Sequence, residues 1–267
     1  MTAVALTIAG SDSGGGAGIQ ADLKTFSALG VYGASVLTAL TAQNTRGVTA
    51  VHDVPPAFVT AQIDAVFSDI AVDAVKIGML SQPEVIRTVR EGLDRWRVAA
   101  VVLDPVMVAT SGDLLLVPEA VETLRSVLIP RASIVTPNLH EAARLTDRPL
   151  ADGRAAMTAQ AEALMRLGAQ AVLVKGGHGT GAEAEDLLMT AEGPTWLSAP
   201  RHPTKNTHGT GCTLSSAIAA GLAKGLGLAD AVAAAKAYLT AAIRAADDLT
   251  IGHGHGPVHH FHALWAR

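Results

Sequence analysis

The chain has 267 residues, 49% of them hydrophobic but only 3% aromatic, and a formal net charge of −4 at pH 7. No Pro/Gly/Ser linker or charge run divides it, so one α/β domain spanning 1–267 is expected, with a core of Ala, Val, Leu and Ile suited to helices packed closely on a parallel sheet. The mild acidity offers no footprint for nucleic acid or an anionic membrane. The single cysteine excludes an internal disulfide and a multi-thiolate zinc site, so small-molecule chemistry in a reducing cytoplasm is expected.

Residues 4–9 form an apolar strand that runs into a glycine loop at 11–18, followed by a helix over about 17–29. The first lysine is Lys24, which argues against a secretion signal. The uncharged stretch 25–45 is broken by Gly30, Gly33, Gln43 and Asn44 and reads as helix end, strand (35–40) and polar turn, not as a membrane span. A strand at 74–77 precedes a helix opened by Ser81-Gln-Pro-Glu84, where a cap residue, an early Pro and a Glu three residues after the Ser combine. Strands at 99–103, 133–135 and 171–174 lead into Asp104-Pro105, Thr136-Pro-Asn138 and Lys175-Gly-Gly177. A hairpin (185–190 and 195–198) and two helices, about 209–225 and 228–247, complete the chain. Repeated strand–loop–helix units predict a mainly parallel sheet covered on both faces. In such sheets ligands bind beyond the carboxyl ends of the strands, which is where Asp104, Asn138, Lys175 and residues 207–213 should converge.

Thr207-His-Gly-Thr-Gly-Cys-Thr213 supplies amides not yet committed to intrahelical bonds, two glycines that let an anion approach the backbone, and a positive helix end. It reads as a phosphate cradle. The same dipole should lower the pKa of a thiol in the first turn, so Cys212 is expected to accept a proton near neutral pH; the competing reading is an inert, half-buried cysteine. Asp104 could reach a magnesium-bound water, with the small-residue loop after it covering a substrate. Asn138 and Glu141 could cap a helix and nothing more, and only their place at the same sheet edge argues for function. Lys175 is needed by neither a helix nor a surface ion pair, which favours a phosphate contact. Gly16-Ala-Gly18 matches the dinucleotide fingerprint weakly, because no acidic residue ends the next strand, and no Gly-Lys pair occurs to form a P-loop. Five of the ten histidines fall within 252–262, read as a loop-rich tail packed near the site in preference to a metal cluster.

Taken together, the blocks at 9–24 (AGSDSGGGAGIQADLK), 41–45 (TAQNT), 75–80 (VKIGML), 104–108 (DPVMV), 136–142 (TPNLHEA), 174–178 (VKGGH), 205–216 (KNTHGTGCTLSS) and 256–261 (GPVHHF) closely resemble the hydroxymethylpyrimidine/phosphomethylpyrimidine kinases of thiamine biosynthesis. The resemblance covers almost the whole chain. It implies a ribokinase-like three-layer αβα sandwich with a mainly parallel central sheet, a homodimer, and ATP- and Mg2+-dependent phosphorylation of 4-amino-5-hydroxymethyl-2-methylpyrimidine and then of its monophosphate. By position it makes Gln43 the pyrimidine-reading residue, with Asp22, Met79, Gly10 and the covering Val106 completing the substrate pocket. Lys175, Asn138 and Thr207 fall on the nucleotide side, Asp104 and Glu141 on the magnesium shell, and Gly209, Thr210, Gly211 and Cys212 form the anion hole. Cys212 stands where most of the superfamily has an aspartate base, and Asn206 where many have Asp. A pyridoxal kinase is the nearest rival, disfavoured because the covering loop Ala109-Thr-Ser-Gly112 lacks the second cysteine such relatives tend to carry. A non-enzymatic sensor on the same fold should have lost Lys175, Glu141 or the cradle, and all are present.

Overall fold

The computed structural model describes residues 1–107, 116–177 and 181–265. Its centre is a nine-stranded sheet in the order β3-β2-β1-β4-β5-β6-β7-β8-β9. β1 (Val4–Asp12) lies between β2 (Tyr32–Asn44) and β4 (Ala74–Ile77), and the parallel run continues through β5 (Val101–Leu103), β6 (Ile134–Val135) and β7 (Val172–Lys175). β3 (Gly47–Asp53), β8 (Glu183–Thr190) and β9 (Gly193–Pro200) are antiparallel additions at the two ends. Central strands are buried on both faces, so they read as near-continuous apolar runs: Ala5, Leu6 and Ile8 are fully buried, as are all four residues of β4, Lys76 included.

Two cores flank the sheet. On one face α1 (Gly18–Ala28), α7 (Thr210–Ala223) and α8 (Leu228–Arg244) cover Ala5, Val102, Ile134 and Leu173. On the other, α2 (Pro56–Phe67), α3 (Pro83–Arg95), α4 (Pro118–Thr123), α5 (Leu139–Thr146) and α6 (Arg154–Arg166) cover Leu6, Ile8, Val75 and Ile77. α3 shows why the pattern folds this way. Val85, Ile86, Val89, Gly92 and Leu93 make one buried stripe, and a side chain at Gly92 would meet Ile63 of α2 at 2.9 Å.

Three expectations are corrected. The strand expected at 35–40 runs on through Gln43-Asn44, because this half of β2 pairs with β3 in a hairpin whose turn is Thr45-Arg46; β3 itself has no buried residue, leaving no buried run to announce it. The cap at Ser81 does not form, since its hydroxyl donates to Asp53 and α3 instead starts after Gln82, with Pro83 in its first turn. The final helix stops at Arg244, and a 3-10 turn, Ala246–Asp248, takes the remainder.

Candidate active site

The carboxyl ends of β1, β4, β5, β6 and β7 and the start of α7 meet at one edge. Gly209 caps α7 from the left-handed region, φ +79°, and a Cβ there would lie 1.9 Å from the Gly16 carbonyl oxygen. Only glycine permits this approach of the cradle to the glycine loop. Thr207 shapes the entry: its carbonyl accepts from Thr210 N at 3.3 Å. The amides of Gly211 and Cys212 fall in the first turn, where a helix offers no internal acceptor. A Cβ on Gly211 would sit 3.3 Å from Lys175 Nζ and 3.5 Å from Asp104 Oδ2, so the bare turn faces both.

Lys175 Nζ donates to Asp104 Oδ1 at 2.8 Å. The sequence offered no reason for an ion pair at Lys175, yet a buried one is present. Thr136 and Ser215 donate to the same carboxylate at 3.2 and 3.3 Å. Burial works to raise the Asp104 carboxyl, but Lys175 and Lys76 outweigh it and hold it below the usual range. Burial likewise opposes the Lys175 charge, while Asp104 and Glu141 keep its pKa above that of an ordinary lysine. Glu141 and Asn138 form a reciprocal capping box at the start of α5, Glu141 N donating to Asn138 Oδ1 at 2.9 Å and Asn138 N to Glu141 Oε2 at 2.7 Å. Burial first, opposed by Lys175 and reinforced by Asp104, pushes the Glu141 carboxyl up to about 7. Two carboxylates, one of them crowded into partial neutrality, suit a hard dication that keeps waters and phosphate oxygens as its other ligands. Among the described residues no group of three or more His, Cys, Asp or Glu could hold a metal ion.

Cys212 departs from expectation. The helix start was expected to lower its pKa; burial instead pushes the thiol up to about 11, with Asp22 and Asp104 adding to the rise, while Lys76 and a backbone N–H from Gly18 oppose it. The sulfur rests against the start of α1 as well as in the first turn of α7.

On the substrate side, Gly10 and Met79 adjoin, a Cβ on Gly10 lying 3.2 Å from Met79 Sδ. Gln43 is half-buried, its Oε1 accepting from Thr41 Oγ1 at 3.0 Å and its Nε2 lying 3.5 Å from His208 Nε2. Val106 follows β5, half-buried. Asp22, expected in the pocket, is wholly buried beneath it; its two oxygens accept from Lys76, Thr7 and Ser216. The expected covering loop falls mostly at 108–112, and His178 at the end of its block; both lie outside the described residues.

Three residues escaped the sequence reading. Asp12 accepts from the amides of Gly14, Gly16 and Ala17 at 2.8, 3.0 and 2.8 Å and pairs with His208 Nε2 at 2.8 Å. Burial would raise its pKa, but these bonds, led by His208, hold it below the ordinary aspartate value. The glycine loop's amides therefore serve an internal carboxylate, which explains why its dinucleotide-like pattern needs no dinucleotide. The signal was an acidic residue one serine ahead of a glycine run. Lys76, the third, was visible as a lone charge inside an apolar strand. The histidine-rich tail packs against the cradle: Pro257 bridges to His208, and His260 Nε2 lies 3.1 Å from Thr213 Oγ1.

A mainly parallel sheet with helices on both faces, a glycine-led helix N-terminus at its carboxyl edge, and a lysine with two acidic side chains facing that turn define a ribokinase-like kinase. The sequence profile of the family described as phosphomethylpyrimidine kinase matches residues 12–259. The chain is 66% identical over 265 residues, 99% of either chain, to a hydroxymethylpyrimidine/phosphomethylpyrimidine kinase of Rhizobium meliloti. It superposes on the phosphomethylpyrimidine kinase of Clostridium difficile with a TM-score of 0.79 at 48% identity, over 90% of this chain and 99% of that one. The ADP complex of Bacillus subtilis pyridoxal kinase superposes at 0.90 with 38% identity, over 97% and 98%. The chain belongs to the phosphomethylpyrimidine kinase family, and it is a phosphotransferase of the thiamine pathway.

Proposed function

We propose that the cradle of α7 transfers the γ-phosphoryl group of ATP first to the hydroxymethyl oxygen of 4-amino-5-hydroxymethyl-2-methylpyrimidine and then to the resulting monophosphate. The observation that carries this is the bare turn at Gly211, where an added Cβ would lie 3.3 Å from Lys175 Nζ, followed by the chain's one thiol. Gly211 and Cys212 amides meet charge developing on the transferred group, and Lys175, freed from part of its bond to Asp104, contacts the same oxygens. Glu141 and Asp104, directly or through water, would hold Mg2+, which neutralises phosphate charge when bound. Thr207 and Asn138 line the nucleotide side, Asn138 through its side-chain Nδ2, because its Oδ1, backbone N–H and carbonyl are taken up by Glu141 and Ala142 at the start of α5.

Gln43 reads the pyrimidine edge, since an amide both donates and accepts, with Gly10, Met79 and Val106 against the ring. Asp22 acts from below, through its partners. Cys212 accepts the hydroxymethyl proton in the first transfer. The second transfer starts from a phosphate oxygen already largely anionic at pH 7, second pKa about 6, and needs no base. The setting is a cytoplasmic homodimer, supported by the β2–β3 hairpin, where Leu40 and Val51 are each 44% exposed.

ATP turnover with hydroxymethylpyrimidine, its monophosphate, pyridoxal and ribose side by side tests the assignment. The two pyrimidines should turn over fastest; preference for pyridoxal would move the protein to the vitamin B6 branch.

A further inference from the structure

Lys76 is the one lysine with no exposed surface at all, and it contacts neither substrate nor nucleotide in the proposed transfers. It sits mid-strand in β4, where its neighbours Val75 and Ile77 pack into the core. Its ammonium is within 2.9 Å of Asp22 Oδ1 and 2.8 Å of Oδ2. Asp22, on α1, also accepts from Thr7 on β1 and Ser216 on α7 at 2.6 Å each. Four elements thus meet at one carboxylate. Ser216 stands one helical turn beyond Cys212, so the tether fixes the two turns of α7 that carry the thiol. The amine points toward the active edge: a Cβ on Gly78, the residue just past the end of β4, would lie 2.7 Å from Lys76 Nζ. α7 packs directly on β4 and on α1.

A wholly buried ion pair is a poor way to gain stability, because desolvation offsets the Coulombic attraction and an apolar pair of similar volume does as well. Its position gives it another use. We propose that Lys76, clamped by Asp22 and tied through it to Ser216, is a positioning residue for Cys212, supplying the fixed positive charge against which the thiol gives up its proton. This rests on Cys212 acting as the base of the first transfer. The charged groups whose fields act on the sulfur are Lys76 from β4, Asp22 from α1, Asp104 after β5 and Lys175 from the end of β7. Lys76 is the foremost of those favouring the thiolate, and Asp22 the foremost of those opposing it. Burial disfavours the Lys76 charge, but Asp22, Cys212 and Asp104 together keep the ammonium protonated.

Because Cys212 is the only cysteine, alkylation of the full chain by iodoacetamide reads this thiol alone, without ATP or pyrimidine. In Lys76→Met the midpoint of the alkylation–pH profile should move to higher pH, with the rate at fixed alkaline pH falling about tenfold per unit moved. The first-transfer kcat should fall with it while KM holds. Lys76→Met/Asp22→Leu, an apolar replacement that tolerates burial, should also move the midpoint upward but by less, because Asp22's opposing charge leaves too. Should the single variant fail to fold, the double variant decides. An unchanged or lowered midpoint in the folded protein overturns the proposal and leaves the kinase assignment standing. A raised midpoint in a protein that phosphorylates neither pyrimidine supports the coupling and sinks the functional reading instead.

Discussion

At neutral pH Cys212 carries its proton, because burial at the start of α7 outweighs the pull of Lys76 and the Gly18 amide toward the thiolate. The base form therefore gains population as pH rises toward about 11. The first transfer should accelerate across the alkaline range while the second, whose nucleophile is already anionic, stays nearly flat; parallel pH–rate profiles for the two substrates would remove Cys212 from the proton-transfer step. Asp12 is the other residue whose surroundings fix its role. It gathers three loop amides and His208, so Asp12→Ala removes the acceptor shared by the three amides and should cost about 2 kcal/mol in urea unfolding, with a raised KM for the pyrimidine as the loop loosens.

The cradle works as an element because its glycine conformation and its contact with the loop at Gly16 are one feature. Gly209→Ala combines a positive φ with a Cβ 1.9 Å from a backbone oxygen, so the turn must shift. A displacement of about 1 Å at the transferring phosphate costs on the order of a hundredfold, and both transfers should fall by it together. The C-terminal tail that braces α7 makes a separate prediction. Burial, then Lys24 and His259, lower the His260 pKa to about 4. Its folded value lies below the unfolded one near 6.5, so the folded state binds fewer protons between the two. Stability is full above about pH 6.5 and falls as pH drops toward 4, by on the order of 3 kcal/mol. Thermal melting of His260→Gln between neutral and mildly acid pH should show a shallower decline than the parent chain; equal slopes would assign the acid sensitivity elsewhere.

Across the whole molecule, the alternation of apolar strands with helical stretches was legible because the central strands are buried on both faces and the loops after them carry their polar residues at one edge. Asp104, Lys175 and the cradle could be placed together from topology alone. The β2–β3 hairpin was hidden, since a strand with no buried residue leaves no periodic apolar trace. Long-range pairings stayed hidden for a different reason. Asp12 with His208, 196 residues apart, and Asp22 with Ser216, 194 apart, depend on where the chain folds back, and the pKa of Cys212 depends on that burial too. At this scale the exposed hairpin also carries the dimer prediction: Val51→Lys should shift a sedimenting dimer toward monomer, and a chain that sediments as a monomer without substitution would refute it.

The central claim is that one cradle performs two transfers that differ only in their need for a base. The ratio of first- to second-transfer kcat in Cys212→Ala against the parent tests it. Loss of the base should depress the first transfer by about 10²-fold or more and leave the second within a few-fold, so the ratio collapses. A ratio that stays constant, whether both rates fall or neither does, contradicts the account.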